Sequence, residues 1–266
     1  MIAVSPQRIA ALALRYLYLL RSSWIRIVEL AYWPTVQMIL WGFITQYLAS
    51  HSTVIHQAGG LLLSAVLLWD VLFRSQLGLS VVFFEEMHAR NLGQLFISPL
   101  QPIEMVLALM LVSLARTLIG VGVAVLLAIP FYRFNLFQLG LPLAGFFLNL
   151  VLMGWAIGLL VAALVLRFGM GAESIAWAAI FAIAPLCGIY YPIATLPDWL
   201  QPLSWLLPAS HVFEGMRSVL LAQTFRLDDL LYALVLNAGY LALGISVFLA
   251  AIDKARERGS LLQSGE

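Results

Sequence analysis

Charge is scarce in this sequence. Only 10% of its 266 residues are Asp, Glu, Lys or Arg, and 63% are hydrophobic. Soluble domains run about a quarter charged and nearer half apolar, so lipid must be the main solvent here. Lysine is almost missing: Lys254 is the single one, and there is no GxxxxGK[ST] loop. Without that loop the chain has no cradle for nucleotide phosphates and cannot hydrolyse ATP by itself. The single cysteine, Cys187, lies in an apolar stretch, which excludes a disulfide framework within one chain and a cysteine metal site. His51, His56, His88 and His211 are scattered, with no HExxH spacing and no GxSxG elbow. Neither a catalytic constellation nor a metal site is therefore expected. The net charge of +1 offers no footprint for a nucleic-acid partner.

Long apolar runs are abundant. A spanning helix needs about 20 apolar residues, and six stretches qualify: Ile27–Leu48, Gly60–Phe84, Ile103–Pro130, Leu141–Leu166, Ser174–Tyr191 and Leu230–Ile252. No internal repeat or linker divides them, so residues 27–252 read as one all-α membrane domain. Residues 1–26 read as an N-terminal amphipathic helix rather than a cleavable leader, because Arg8, Arg15, Arg21 and Arg26 interrupt any apolar core. Such a helix is expected in the cytoplasmic headgroup layer with its arginines toward phosphate. Residues 253–266 read as a cytoplasmic tail. Placing both ends in the cytoplasm puts nine basic residues of the connections inside and three, Arg133, Arg217 and Arg226, outside. This is the sense of the positive-inside rule, and it predicts a multi-pass protein of the cytoplasmic (inner) membrane.

Three charges fall inside spans. Asp70 and Arg74 are four apart and share a face of the second span; Arg116 is on the third. At a rise of about 1.5 Å per residue, Asp70 and Arg116 both lie roughly 20 Å from the cytoplasmic ends of their spans. An unpaired charge at that depth costs at least about 2.5–3.5 kcal/mol, so Asp70 is expected to neutralise Arg74, Arg116 or both. The group reads either as a structural ion pair or as a polar element on a substrate or conformational pathway. Gly154 and Gly158 in GWAIG form a small-xxx-small pattern that permits close helix approach.

Two connections are unusual. The cytoplasmic one, FEEMHARNLGQLFISPLQP, is charged, then amphipathic through Leu92, Leu95 and Phe96, and closes on Pro99 and Pro102. It predicts a short helix across the membrane surface. The external one, 192–226, carries four prolines yet stays apolar, with Trp199, Leu200, Leu203, Trp205, Leu206 and Leu207. Short re-entrant helices before the last span fit it better than a solvated loop.

Together these connections resemble the permease subunits of type-two ABC exporters, the class that includes bacterial drug, O-antigen and teichoic-acid exporters. The first carries Glu86-x-x-x-Arg90-x-x-Gly93-x-Leu95-x-x-Ser98-Pro99-Leu100; the second carries Leu196-Pro197-Asp198-Trp199-Leu200, then Leu207-Pro208, then Glu214-Gly215-Met216-Arg217. The resemblance covers the whole six-span layout. It implies that Glu85 to Ser98 forms a coupling helix docking on a separate ATPase, with Glu85, Glu86, Arg90, Gly93, Leu95, Ser98 and Pro99 at the contact and Gly93 permitting the tight helix entry. It implies an N-terminal helix packed beside that element. It also implies an outer gate shaped by Pro197, Trp199 and Pro208, with Glu214 and Arg217 close enough to pair.

The expectation is therefore a transport subunit without its own ATPase site that exports an amphiphilic or hydrophobic substrate (a drug, lipid or lipid-linked glycan) across the cytoplasmic membrane. Its partners are two copies of a P-loop ABC ATPase, which bind the ATP and Mg, a second permease copy as homo- or heterodimer, and membrane lipids. The rival is a membrane scaffold or lipid-modifying enzyme with no ATPase; co-purification from native membranes separates the two.

Overall fold

The computed structural model of the chain describes residues 4–51 and 53–259. They are almost entirely helical, and among them no strand occurs. The order is α1 (Pro6–Arg21), α2 (Trp24–His51), α3 (Thr53–His88), α4 (Leu92–Ile97), α5 (Pro102–Tyr132), α6 (Leu141–Phe168), α7 (Ser174–Ile183), α8 (Gln201–Trp205), α9 (Pro208–Ala222) and α10 (Leu227–Glu257), with short 3-10 turns between.

Among the described residues five helices are long and apolar enough to cross a membrane: α2, α3, α5, α6 and α10. The chain is thus an all-α, multi-pass membrane protein. The stretch expected as the fifth of six spans, Ser174–Tyr191, is built differently. It forms α7, only ten residues long, which runs into a 3-10 turn at Ala184–Cys187. Pro185 removes a backbone donor there, and Gly188 turns left-handed at φ 60°. At about 1.5 Å and 2.0 Å per residue these two pieces reach roughly 23 Å, short of the ~30 Å hydrocarbon core. The last helix is longer than expected. It continues past Ile252 to Glu257, so the expected tail begins inside it, and 260–266 lie outside the described residues. Its ends match the helix dipole, with Asp228 and Asp229 in the first turn and Lys254 and Arg256 in the last.

Burial orders the bundle. In the apolar window of α3, 89% of residues are buried, against 17% in α2 and 22% in α10. So α3 is the axis, and α2 and α10 present apolar faces outward. α6 lies between α3 and α10. It meets α3 through GWAIG: a Cβ on Gly154 would stand 2.9 Å from the backbone of Gln76 and of Leu72, and one on Gly158 would stand 3.0 Å from the Gln76 carbonyl. The small-xxx-small pattern therefore is a helix contact. On its other side α6 is tied to α10 by a buried amide pair, Asn237 Nδ2 donating to the Asn149 backbone and side-chain oxygens at 2.9 Å.

Two apolar clusters result. One gathers around Leu67, Phe146 and Phe213, the other around Tyr16, Phe83 and Phe248. Near their junction is a polar seam. Ser113 Oγ donates to the Ser75 carbonyl at 2.7 Å, Trp155 Nε1 donates to Ser113 Oγ at 3.1 Å, and Gln76 Nε2 donates to Ser80 at 3.3 Å. Each of these donors is partnered within the bundle, which is how polar side chains persist at membrane depth.

Candidate functional site

The end of the bundle that carries α1 and α4 is held by carboxylates. Pro102 opens α5 without needing a donor, and Glu104, three residues after the N-cap Gln101, accepts the Gln101 N–H at 2.9 Å. The same buried carboxylate accepts the Ser5 N–H at 2.7 Å and the Arg8 guanidinium at 2.6–3.0 Å. One side chain thus caps α5 and fastens the start of α1 to it. The sequence reading missed Glu104; Gln-Pro-x-Glu ahead of an apolar run was the available signal.

Farther along α1, Arg15 meets Glu86 at 2.8 Å, and Asn91 donates to Glu86 at 3.0 Å. Leu12, Ala13, Tyr16 and Leu20 bury one face of the helix against α5, while Leu14, Tyr18 and Leu19 remain exposed. Burial, and then the nearby Glu86 carboxylate, push the Tyr16 phenol well above its ordinary range. The expectation that these arginines face lipid phosphate is corrected: Arg8 and Arg15 turn inward to carboxylates, because Glu104 and Glu86 are buried and would otherwise be unpaired.

The expected coupling segment is also redrawn. Glu85 and Glu86 belong to the last turn of α3, and the separate helix α4 covers only Leu92–Ile97. The tight entry falls at Arg90, which takes the left-handed φ of 54°, and not at Gly93 inside α4. Leu92 is buried and anchors α4, Gly93 and Leu95 are half-buried, and Arg90, Ser98 and Pro99 are exposed. Ile97 is 83% exposed, an apolar side chain at the tip that the sequence reading did not single out.

Between α2, α3, α5 and α7 lies a cavity of about 170 Å³. Arg26 and Glu29 of α2, Arg74 and Glu85 of α3, Arg116 of α5 and Trp177 of α7 all line it. Arg116 pairs with Glu85 at 3.6 Å, and Arg26 reaches the same carboxylate at 3.4 Å. The expected pairing of Asp70 with Arg74 or Arg116 is met only in part: Asp70 and Arg74 attract through their charges but do not touch. Among the described residues no ion pair within 4 Å joins Asp70 to either, and Asp70 is not on the cavity wall. Counting rise along each helix ignored the reach of an arginine, which let Arg116 find a carboxylate near the end of α3.

At the opposite end of α6, α9 packs against α3, α6 and α10. Pro208 starts it and is buried, whereas Pro197 and Trp199 are exposed on the preceding turns. Arg217, 5% exposed, pairs with Glu214 at 3.1 Å. It also donates to the carbonyls of Gly188, of Ile189 at 3.1 Å and of Tyr191 at 2.7 Å, and Glu214 accepts the Ile193 N–H at 2.7 Å. The pair therefore satisfies the broken backbone that follows α7.

The geometry comprises a lipid-exposed bundle, a short helix at the turn between two long ones, and a satisfied irregular segment before the last helix. Residues 16–221 match the family model described as ABC-2 type transporter. No curated protein matches the chain.

Proposed function

Because the chain belongs to the ABC-2 type transporter family, which works with an ABC ATPase, we propose that it is the permease of an ATP-driven exporter of amphiphilic substrates in the cytoplasmic membrane. The observation that carries this reading is α4. It is the kind of projecting lever an ATPase groove can grip, with Ile97 83% exposed at its tip and Leu92 buried at its root. Arg90, Gly93, Leu95, Ser98 and Pro99 surround that tip in sequence, and Glu86, through Arg15 and Asn91, fixes the base to α1. ATP and Mg are held by the partner, two copies of which drive two copies of this chain. Both termini lie in the cytoplasm, on the side of α4. On the far side Pro197, Trp199, Pro208, Glu214 and Arg217 shape the outer gate.

Arg90→Glu tests the docking surface. Reversing a charge against a complementary groove costs several kcal/mol, enough for at least a ~10-fold loss of transport. The purified complex in proteoliposomes should keep hydrolysing ATP while vesicle uptake of a fluorescent amphiphile falls by that factor. Transport at the wild-type rate would remove α4 from the interface.

A further inference from the structure

We propose that the cavity between α2, α3, α5 and α7 binds the anionic headgroup of an amphiphile, with Arg74 as its principal ligand. Arg74 is 8% exposed and lines the cavity. Among the described residues its guanidinium makes no hydrogen bond and has no carboxylate within 4 Å, and its Nε is fully enclosed without a partner. Asp70, one turn away, is equally buried and also leaves an oxygen unpartnered, yet the two do not close into an ion pair. A buried guanidinium that hydrogen-bonds to no carboxylate and borders open space still has donors to offer an anion that arrives from outside.

The rest of the wall agrees. Arg26, Arg74 and Arg116 face Glu29 and Glu85 there, three positive charges against two. Glu85 already serves both Arg26 and Arg116, and Asp70 and Glu29 act on Arg74 only from beyond 4 Å, so the unspent donors are at Arg74. The planar fork of arginine grips two oxygens of a phosphate or carboxylate at once. The volume of about 170 Å³ is below the ~300–1,000 Å³ of sites that enclose a whole drug-sized ligand. It suits a headgroup whose apolar remainder stays outside. Trp33 and Trp177 line the same cavity and are 54% and 47% exposed, which gives that remainder an aromatic exit toward the bilayer. The ligand class is a phosphate- or carboxylate-headed amphiphile. That this amphiphile is cargo rests on the transport reading above; that it binds here does not.

The purified permease–ATPase complex, in a neutral detergent, is titrated by native mass spectrometry with dioleoyl phosphatidylglycerol, dioleoyl phosphatidylcholine and inorganic phosphate. The two lipids share tails and differ in headgroup charge. The wild type should retain phosphatidylglycerol at least ~10-fold more tightly than phosphatidylcholine. Phosphate should compete with it at higher concentration. Arg74→Gln should abolish the preference, and Arg74→Lys, which keeps the charge but loses the fork, should reduce it at least ~3-fold. Arg226→Gln, at an arginine 59% exposed, should leave it intact. No headgroup preference in the wild type overturns the proposal, whatever the variants do. So does a preference unchanged in both Arg74 variants, or phosphate bound with no lipid bound. Failure here leaves the Arg90→Glu experiment standing, and failure there leaves this titration standing.

Discussion

Replacing Arg217 with methionine should open the segment that follows α7, and the lone cysteine reports it. The guanidinium is 6% exposed, holds Glu214 at 3.1 Å and donates to three carbonyls between Gly188 and Tyr191. Methionine fills similar space but leaves those carbonyls without that donor and Glu214 with only the Ile193 N–H. Breaking a buried pair by removing one partner costs about 3–5 kcal/mol. Glu214 is 19% exposed and keeps some water, so the low end, about 3 kcal/mol, applies. At 1.4 kcal/mol per factor of ten, the open population rises roughly 100-fold. Cys187, adjacent to Gly188 and fully buried, is the chain's single cysteine. A maleimide in detergent solution therefore reads the opening with no background from this subunit. Where closing is fast relative to labelling, the rate follows the open population, and it should rise by the same ~100-fold. Arg256→Met removes an exposed pair with Asp253 at 3.8 Å and should change the rate less than ~3-fold, since such pairs contribute at most about 1 kcal/mol. Equal labelling of Arg217→Met and wild type, or equal acceleration in both variants, would refute the assignment of Arg217 as the clasp of this segment.

Three further outcomes can be checked on the same preparation. Gly154→Ala places a Cβ 2.9 Å from two backbone atoms of α3; overpacking of about 2 kcal/mol should lower the melting midpoint by roughly 4–8 °C, whereas Gly239→Ala, with nothing within 4 Å, should not lower it. Glu104→Gln removes the charge that fastens the start of α1, so limited trypsin digestion should cut after Arg21 several-fold faster than in the wild type; an unchanged cleavage rate would deny the clamp. Asp70→Asn should shift the midpoint by less than ~2 °C, because no ion pair within 4 Å is lost, and a large fall would restore the Asp70–Arg74 pair expected from their spacing.

Spans and surface helices were legible because hydropathy and period act locally. α5 ends within two residues of its expected limits, and α4 begins at Leu92, where the amphipathic repeat begins. The Ser174–Tyr191 stretch misled because its composition is that of a span, while Pro185 and Gly188 decide its geometry. Charge partners were legible only where sequence spacing fixes them, as for Glu214 and Arg217 three apart on α9. Arg8–Glu104 and Arg15–Glu86 are separated by 96 and 71 residues, and only the seating of α1 against α5 and the end of α3 brings them together. The cavity is the extreme case: its lining comes from five helices, and no periodicity along one chain announces that an arginine will be left with no hydrogen bond to a carboxylate.

Glu85 and Glu86 show how a displacement of α4 is distributed through this packing. Glu86 is 4% exposed and holds Arg15 of α1 and Asn91 at the root of α4. Breaking a pair that deep leaves an uncompensated charge, so α4 and α1 move with the end of α3 as a unit. Glu85, its neighbour in sequence, is 32% exposed and holds Arg26 of α2 and Arg116 of α5 at 3.4 and 3.6 Å. The Arg26 pair is long and wet, so it is worth little and exchanges easily; Arg116, 7% exposed, is the drier partner. Rigid pairing therefore lies on the α4 side and compliant pairing on the cavity side, one residue apart. Were the last turn of α3 to shift, the Arg26–Glu85 contact at the cavity wall would yield first, before the buried Arg15–Glu86 pair.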